Sequence, residues 1–307
     1  MSGSEQPPRL LKVFFVFFLC FLFFGCTIIT LELYSGAFGR VEGDGPFDSW
    51  VQGPYNREEH WFYSGNNRLH AYIYGKDNTN GLVIISPGIY SYADEFGKII
   101  RYMVDKNWVV FSYNMTGVDK SEGPGIFGIS QTVLDLDAAL TYIKVTEPLS
   151  ELPLMLAGFC SGGYAVCAVL NYNHDITAVV SFAGFNKTLD VINSMAGTEL
   201  GGIYTIFSPQ VWALEKQIFG SIANLTAVDG INRSGIPVMI VHCSNDNVIP
   251  AHTISIYAAR ERITNPNIVI KYLEGEAAFG HFFKFHANEA VWEWTNDFFE
   301  KSLYAFR

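Results

Sequence analysis

The segment with the clearest potential for chemistry is 156–163, which has the sequence LAGFCSGG. Gly158 and Gly162 lie two residues before and two residues after Cys160. A sharp strand-to-helix turn requires small residues there, because it leaves no room for side chains beside a nucleophile. A thiolate at a helix N-terminus is stabilised by the helix dipole and by a nearby imidazolium. The pattern therefore predicts Cys160 as a nucleophile, with Ser161 as a weaker candidate and a structural core cysteine as the alternative.

The elements around this turn follow an alternating pattern. Strand-like runs and amphipathic helix-length runs succeed one another from Glu59 onward, which predicts a parallel sheet with helices on both faces. The expected strands are 61–63, 69–74, 82–86, 108–113, 154–158, 178–182, 237–242 and 268–273, the first two forming a hairpin; the expected helices are 94–105, 130–145, 162–170, 251–263 and 289–299. Strand signals are missing between 183 and 235, where helical runs indicate an inserted cap.

With this turn and this pattern, the sequence resembles the α/β-hydrolase superfamily from about Glu59 to the C-terminus. The resemblance is closest to the serine-aminopeptidase-like and prolyl-oligopeptidase-like branch found in membrane-anchored bacterial proteins. It implies an α/β-hydrolase fold, with a mostly parallel central sheet, helices on both faces and a helical cap. It also implies Asp246, in the segment CSNDNVIP, as the acid and His281, in a Gly-His pair, as the base; His286 is the alternative base. The chain order of Cys160, Asp246 and His281 is then the family order.

The resemblance also assigns an oxyanion hole. Its donors would be the backbone N–H groups of Ile89 and Ser161, since donors of this kind stabilise the charge that develops during acyl transfer. The pocket departs from the family pattern at three further positions. Pro87 replaces a histidine, Asn114 replaces an aspartate, and Phe159 stands where histidine is common.

These residues predict cleavage of an ester, thioester or amide-type acyl bond. Cys160 would attack the carbonyl, His281 would take the thiol proton, Asp246 would orient the imidazole, and water would cleave the acyl-thioester. The chain is similar in this respect to dienelactone hydrolase, which uses a Cys-Asp-His set on the same fold. Two alternatives stay open: a catalytically impaired pseudoenzyme that binds an apolar ligand, and an acyltransferase with the same intermediate. The other histidines are expected to be structural or at the surface: His60, His70, His174, His242 and His252.

No cofactor or metal is expected. The chain has no G-x-G-x-x-G after a strand and no phosphate-binding G-x-x-x-x-G-K-S/T, and its five cysteines show no metal-ligand spacing. Many apolar side chains in the cap indicate an apolar small-molecule or peptide acyl substrate. The net charge of −10 and the pI of about 5.1 argue against a nucleic-acid partner, which needs a basic surface. Oligomeric state is left open.

The N-terminal region is strongly apolar. Residues 13–31 contain seven phenylalanines and no charge, which is the length of a membrane-spanning helix. Arg9 and Lys12 precede this segment, so the positive-inside tendency predicts that the N-terminus stays in the cytoplasm and that the domain after the segment lies on the extracytoplasmic side. The expected divisions are a cytoplasmic tail (1–12), a transmembrane anchor (13–31), a juxtamembrane linker (32–56) and a hydrolase domain (57–307) with its cap at about 183–235. The alternatives are secretion after signal cleavage near 35–37 and acylation at Cys26.

Overall fold

Eight strands form a single sheet in the computed structural model, which describes residues 24–42, 57–275, 278, 280–281 and 288–305. The strands are β1 (Arg57–Ser64), β2 (Asn67–Tyr74), β3 (Leu82–Ser86), β4 (Val109–Tyr113), β5 (Leu154–Phe159), β6 (Ala178–Phe182), β7 (Val238–Cys243) and β8 (Ile268–Leu273). Their order across the sheet is β1-β2-β4-β3-β5-β6-β7-β8. β2 pairs in antiparallel fashion with β1 and β4, and every other pair is parallel.

Helices cover both faces of this sheet. They are α1 (24–37), α2 (Gly97–Asp105), α3 (Gln131–Lys144), α4 (Ser161–Ala168), α5 (Thr188–Leu200), α6 (Tyr204–Phe219), α7 (Ala227–Ser234) and α8 (Glu289–Ala305). α2 and α8 pack on one face, and α3, α4 and α7 pack on the other. The prediction of a mostly parallel sheet flanked by helices is confirmed.

The central strands are buried on both faces. In β3, Val83 and Ile85 pack in the cluster that contains Ile99 of α2, whereas Ile84 packs in the cluster that contains Val133 of α3. Successive side chains of a strand point to opposite faces, so a strand covered by helices on both sides needs a continuous apolar run. The run LVIIS of β3 meets this requirement.

Three helices, α5 to α7, occupy the chain between β6 and β7. They span 188–234, within the stretch where the sequence shows no strand signal. α5 and α6 contact each other, and α7 packs against α4. α5 and α6 also line a cavity together with Ile89, which follows the carboxyl end of β3, the side on which ligands of open α/β sheets bind.

The helix expected over 251–263 is not formed. The structure has turns there, followed by a short 3-10 helix at Tyr257–Arg262. The backbone of this segment pairs with the loop after β6, since Asn186 N–H donates to Ile254 O at 3.0 Å and Ile256 N–H donates to Gly184 O at 3.0 Å. These tertiary hydrogen bonds use backbone groups that an α-helix would need for itself.

The described part of the segment expected as a linker, 32–42, begins within α1. Residues 32–37 continue α1, and Tyr34 and Phe38 are buried against the domain. The backbone beyond the helix is bound as well, because Ile126 N–H donates to Phe38 O at 2.8 Å and Val41 N–H donates to Gly117 O at 2.9 Å. The spacing of four residues between Tyr34 and Phe38 places both rings on one side of the chain. Residues 43–56 lie outside the described residues.

The predicted transmembrane segment falls on two parts of the chain. Residues 13–23 lie outside the described residues, and 24–31 belong to α1. Within the ranges that the structure describes, no helix combines the length and the apolar character needed to cross a bilayer.

Candidate active site

Cys160 occupies the sharp turn between β5 and α4. Its backbone has φ 53° and ψ −113°, a left-handed conformation that costs energy for any residue other than glycine. The neighbouring glycines are required by close backbone contacts. A Cβ at Gly158 would lie 2.2 Å from Gly162 O, and a Cβ at Gly162 would lie 2.1 Å from Ser86 O. The turn thus has the geometry of a nucleophile elbow, with Cys160 at its strained position.

Asp246 lies just beyond β7 and is fixed by backbone donors. Its Oδ1 accepts hydrogen bonds from Val248 N–H at 3.0 Å and from Ile249 N–H at 2.8 Å. Its Oδ2 lies 2.8 Å from Nδ1 of His281, which follows β8. Both side chains are buried. The carboxylate therefore holds the imidazole through one oxygen while the loop holds the carboxylate through the other.

The side chain of Cys160 also acts on the pKa of His281. Burial of the ring lowers the pKa of His281, but the hydrogen bond with Asp246 and the interactions with Cys160 outweigh this effect and raise it to about 9. The structure brings together the three residues that the sequence proposes as nucleophile, base and acid. His286, the alternative histidine, lies outside the described residues.

The two proposed oxyanion donors lie on either side of Cys160. Ser161 is the first residue of α4, so its backbone N–H belongs to the first helical turn, which has no acceptor within the helix. Ile89 follows Gly88, where a Cβ would lie 3.6 Å from the Cβ of Cys160. The turn after β3 therefore passes directly beside the elbow. The Ser161 hydroxyl is buried, and among the described residues it has no hydrogen-bond partner.

Phe159, one of the departures from the family pattern, has a packing role. Its ring is fully buried and stacks on Phe96 at 4.3 Å and on Phe182 at 4.7 Å between ring centroids. Stacked aromatic rings contribute attraction beyond the apolar area they bury. The residue before the nucleophile therefore supports the elbow from the α2 face of the sheet.

Asn114, a second departure, takes part in a hydrogen-bonded turn. Its Oδ1 accepts from Ala93 N–H at 2.7 Å, and its Nδ2 donates to Asp119 Oδ2 at 2.7 Å. An asparagine can both accept and donate in this way, whereas an ionised aspartate can only accept. The amide therefore suits a position next to the acidic Asp119 better than a second carboxylate would.

His242 is a neighbour of the site that the sequence analysis left as structural or at the surface. It is buried, and its Nε2 lies 2.8 Å from Ile249 O and 3.5 Å from Asp246 Oδ2. Burial lowers its pKa, which favours the neutral ring. A sequence signal existed, because His242 lies near the end of a buried strand, four residues before Asp246.

A cavity of about 300 Å³ adjoins the turn after β3. Its lining is mostly apolar and comes from α1, α5, α6 and the turn itself. The lining residues include Leu33, Ile89, Met195, Ala196, Phe207 and Val211. Ile89 carries one of the proposed oxyanion donors, so the cavity reaches the turn that passes beside Cys160.

Metal ligation is not a feature of the described residues. Within them, no group of three or more His, Cys, Asp or Glu side chains is arranged to hold an ion. Asp246 and His281 are engaged with each other at 2.8 Å.

Comparisons with known proteins agree with this fold. Residues 77–216 match the model of the family described as serine aminopeptidase, S33. An esterase from Pyrococcus furiosus is similar in structure, with a TM-score of 0.65 and 15% identity over 86% of this chain and 97% of that one. No curated protein sequence matches the chain.

Two further solved structures are similar at low identity. Est1E from Butyrivibrio proteoclasticus, solved with ferulic acid bound, has a TM-score of 0.58 and 17% identity over 80% of this chain and 99% of that one. An acylaminoacyl peptidase from Pyrococcus horikoshii has a TM-score of 0.60 and 12% identity over 81% of this chain and 42% of that one. The chain has the α/β-hydrolase fold.

The glycine contacts at the elbow give a first prediction. Gly162→Ala should lower the free energy of unfolding by about 1–3 kcal/mol, because the added Cβ would overlap the backbone of Ser86. Gly197→Ala is the matched control in α5, where a Cβ meets nothing within 4 Å. It should raise stability by about 0.5–1 kcal/mol. Urea denaturation measures both, and equal effects of the two substitutions would refute the steric explanation.

The raised pKa of His281 gives a second prediction. A histidine whose pKa rises from 6.5 to about 9 on folding stabilises the fold fully below pH 6.5, and this contribution disappears as the pH rises through about 9. The melting temperature of the wild type minus that of His281→Gln should therefore shrink between pH 6.5 and pH 9.5. Measured in the Asp246→Asn background, the effect of His281→Gln on the melting temperature should depend less on pH. A difference that stays constant over this range would contradict the pairing.

Proposed function

We propose that the protein is a cysteine hydrolase that cleaves an ester, thioester or amide-type acyl bond. The observation that carries the proposal is the position of His281, which is hydrogen-bonded to Asp246 and lies close enough to Cys160 for that side chain to raise the pKa of the imidazole. A nucleophile within reach of a base, which is itself oriented by a third group, is the arrangement needed for covalent acyl transfer.

The raised pKa of His281 favours an imidazolium once the ring has taken the proton of the Cys160 thiol. In the proposed reaction the thiolate attacks the carbonyl carbon, and the backbone N–H groups of Ile89 and Ser161 bind the resulting oxyanion. His281 donates its proton to the leaving group, which departs and leaves an acyl-thioester on Cys160. His281 then takes a proton from water, hydroxide attacks the thioester, and the acid and the free thiol are released.

Intact-mass spectrometry of the full-length chain tests this function. Mixed with p-nitrophenyl acetate, the wild type should show a transient acetyl adduct on Cys160 while nitrophenol is released continuously. Cys160→Ala should lose both signals, because no other side chain in the elbow takes the strained position. Continued turnover by Cys160→Ala would overturn the proposal. Neither adduct nor release in the wild type would instead favour a ligand-binding pseudoenzyme.

Cys167 provides an internal control for this chemistry. It is fully buried in α4, and burial raises the pKa of its thiol to about 12. Iodoacetamide at pH 7 should therefore modify Cys160 and leave Cys167 unmodified, as peptide mapping measures. Cys167→Ala should leave the labelling of Cys160 unchanged. Equal labelling of the two thiols would argue that Cys160 has no special reactivity.

We also propose that the N-terminal segment holds the protein in a membrane, with the hydrolase domain on the extracytoplasmic side. The apolar run 13–31 supports this, as does the exposure of apolar side chains where it enters α1: Phe24, Ile28, Ile29 and Leu31. The full-length chain should stay with membranes after extraction at pH 11, and protease added outside intact cells should degrade the domain. Release at pH 11 would contradict anchoring, and protection from protease would contradict the orientation.

A further inference from the structure

The helix α1 forms one wall of the apolar cavity beside the elbow. Thr30, Leu33, Tyr34 and Ala37 of α1 line it, and they face side chains of the cap helices α5 and α6. The family match begins at residue 77, so α1 lies outside the matched segment. Part of the cavity is therefore built by an element that the family model does not contain.

A buried polar contact holds α1 against the cap. The hydroxyl of Tyr34 donates to Oε1 of Glu215 in α6, and Oε2 of the same carboxylate accepts from Ser130 Oγ at 3.2 Å. A buried carboxylate is costly unless it is hydrogen-bonded, so losing Tyr34 would leave Glu215 short of a partner. A Cβ at Gly128 would lie 2.3 Å from the Tyr34 hydroxyl, which shows how closely this contact is packed.

A second contact joins α1 to the oxyanion turn. The hydroxyl of Tyr90 donates to the backbone carbonyl of Ala37, the last residue of α1. Tyr90 follows Ile89 directly and has φ 67°, a conformation that a bulky residue adopts only when its surroundings impose it. The C-terminal end of α1 is therefore fixed to the loop that carries one of the proposed oxyanion donors.

We propose that α1 is a specificity-determining part of the substrate site, and that the cavity it closes binds the acyl chain of a neutral ester or thioester. The cavity is apolar, it adjoins Ile89, and its volume of about 300 Å³ suits a chain of several methylenes. Glu199, an exposed acid in the lining, disfavours an anionic ligand. The reaction at the end of the chain rests on the proposed function, whereas the binding of the chain does not.

Two leucines of α1 allow a matched test. Leu33 lines the cavity and is 48% exposed, whereas Leu31 is 43% exposed and does not line it. Leu33→Trp places a larger ring at the cavity wall, and Leu31→Trp makes the same change on the same helix away from it. Both variants are compared with the wild type as full-length chains in lipid nanodiscs, with p-nitrophenyl esters of two, four, six and eight carbons.

In the wild type, kcat/KM should rise with each added methylene by up to about four-fold, because each buried methylene gains about 0.8 kcal/mol. Leu33→Trp should reduce the octanoyl-to-acetyl ratio of kcat/KM by at least about ten-fold, and Leu31→Trp should leave the ratio unchanged. The ratio is taken within each variant, so a general loss of folded protein does not affect it. Equal ratios in the two variants would overturn the role of α1.

A binding measurement separates this inference from the proposed reaction. Calorimetric titration of the full-length Cys160→Ala chain with 1-octanol, a neutral alkyl probe, should give a Kd that Leu33→Trp raises at least about ten-fold and Leu31→Trp does not change. If octanol binds in this way but no ester is turned over, the proposed function fails and the acyl-chain site stands. If esters are turned over without chain-length preference and octanol does not bind, the site fails and the proposed function stands.

Discussion

Close backbone packing at the elbow is the constraint on which the site depends. Gly158 and Gly162 approach each other and the end of β3 at distances that no Cβ can share. This contact joins β5, α4 and β3 where their ends meet, and it forces Cys160 into a left-handed conformation at the edge of the sheet. The energy of that strain is offset by buried neighbours, including the ring stack around Phe159.

Electrostatics then couple the elbow to the far side of the sheet. Asp246 and His281 come from the loops after β7 and β8. These strands lie three and four positions away from β3 in the sheet. The Asp246 carboxylate is held by backbone N–H groups of its own loop, so it can orient His281 without moving. The hydrogen bond with Asp246 and the interactions with Cys160 overcome the effect of burial on the pKa of His281. Because Asp246 and Cys160 are both held in place, the protonation state of His281 depends on residues that follow several strands of the sheet.

The N-terminal helix adds a further layer to this arrangement. Tyr34 and Tyr90 connect α1 to the cap and to the turn after β3, and both contacts are made by phenolic hydroxyls at the end of large apolar rings. Such side chains can bury apolar area and still satisfy a polar partner. A helix that continues the apolar N-terminal segment is thereby built into the lining of the cavity beside Cys160.

The sequence alone determined the alternation of strands and helices, the glycine pattern around Cys160 and, through the family resemblance, the order of Cys160, Asp246 and His281. The alternation and the glycine pattern depend on local periodicity and on steric needs within a few residues, which the sequence records directly, whereas the order of the three residues is what the resemblance implies. Only the tertiary structure decided that 251–263 forms turns, that 32–42 packs on the domain and that His242 lies beside Asp246. Two of these outcomes depend on hydrogen bonds with partners far away in the chain. Gly184 and Asn186 form backbone hydrogen bonds with 251–263, and Glu215 and Gly117 accept hydrogen bonds from 32–42. Local propensity cannot show such partners, because it carries no information about which distant groups the fold brings into hydrogen-bonding distance.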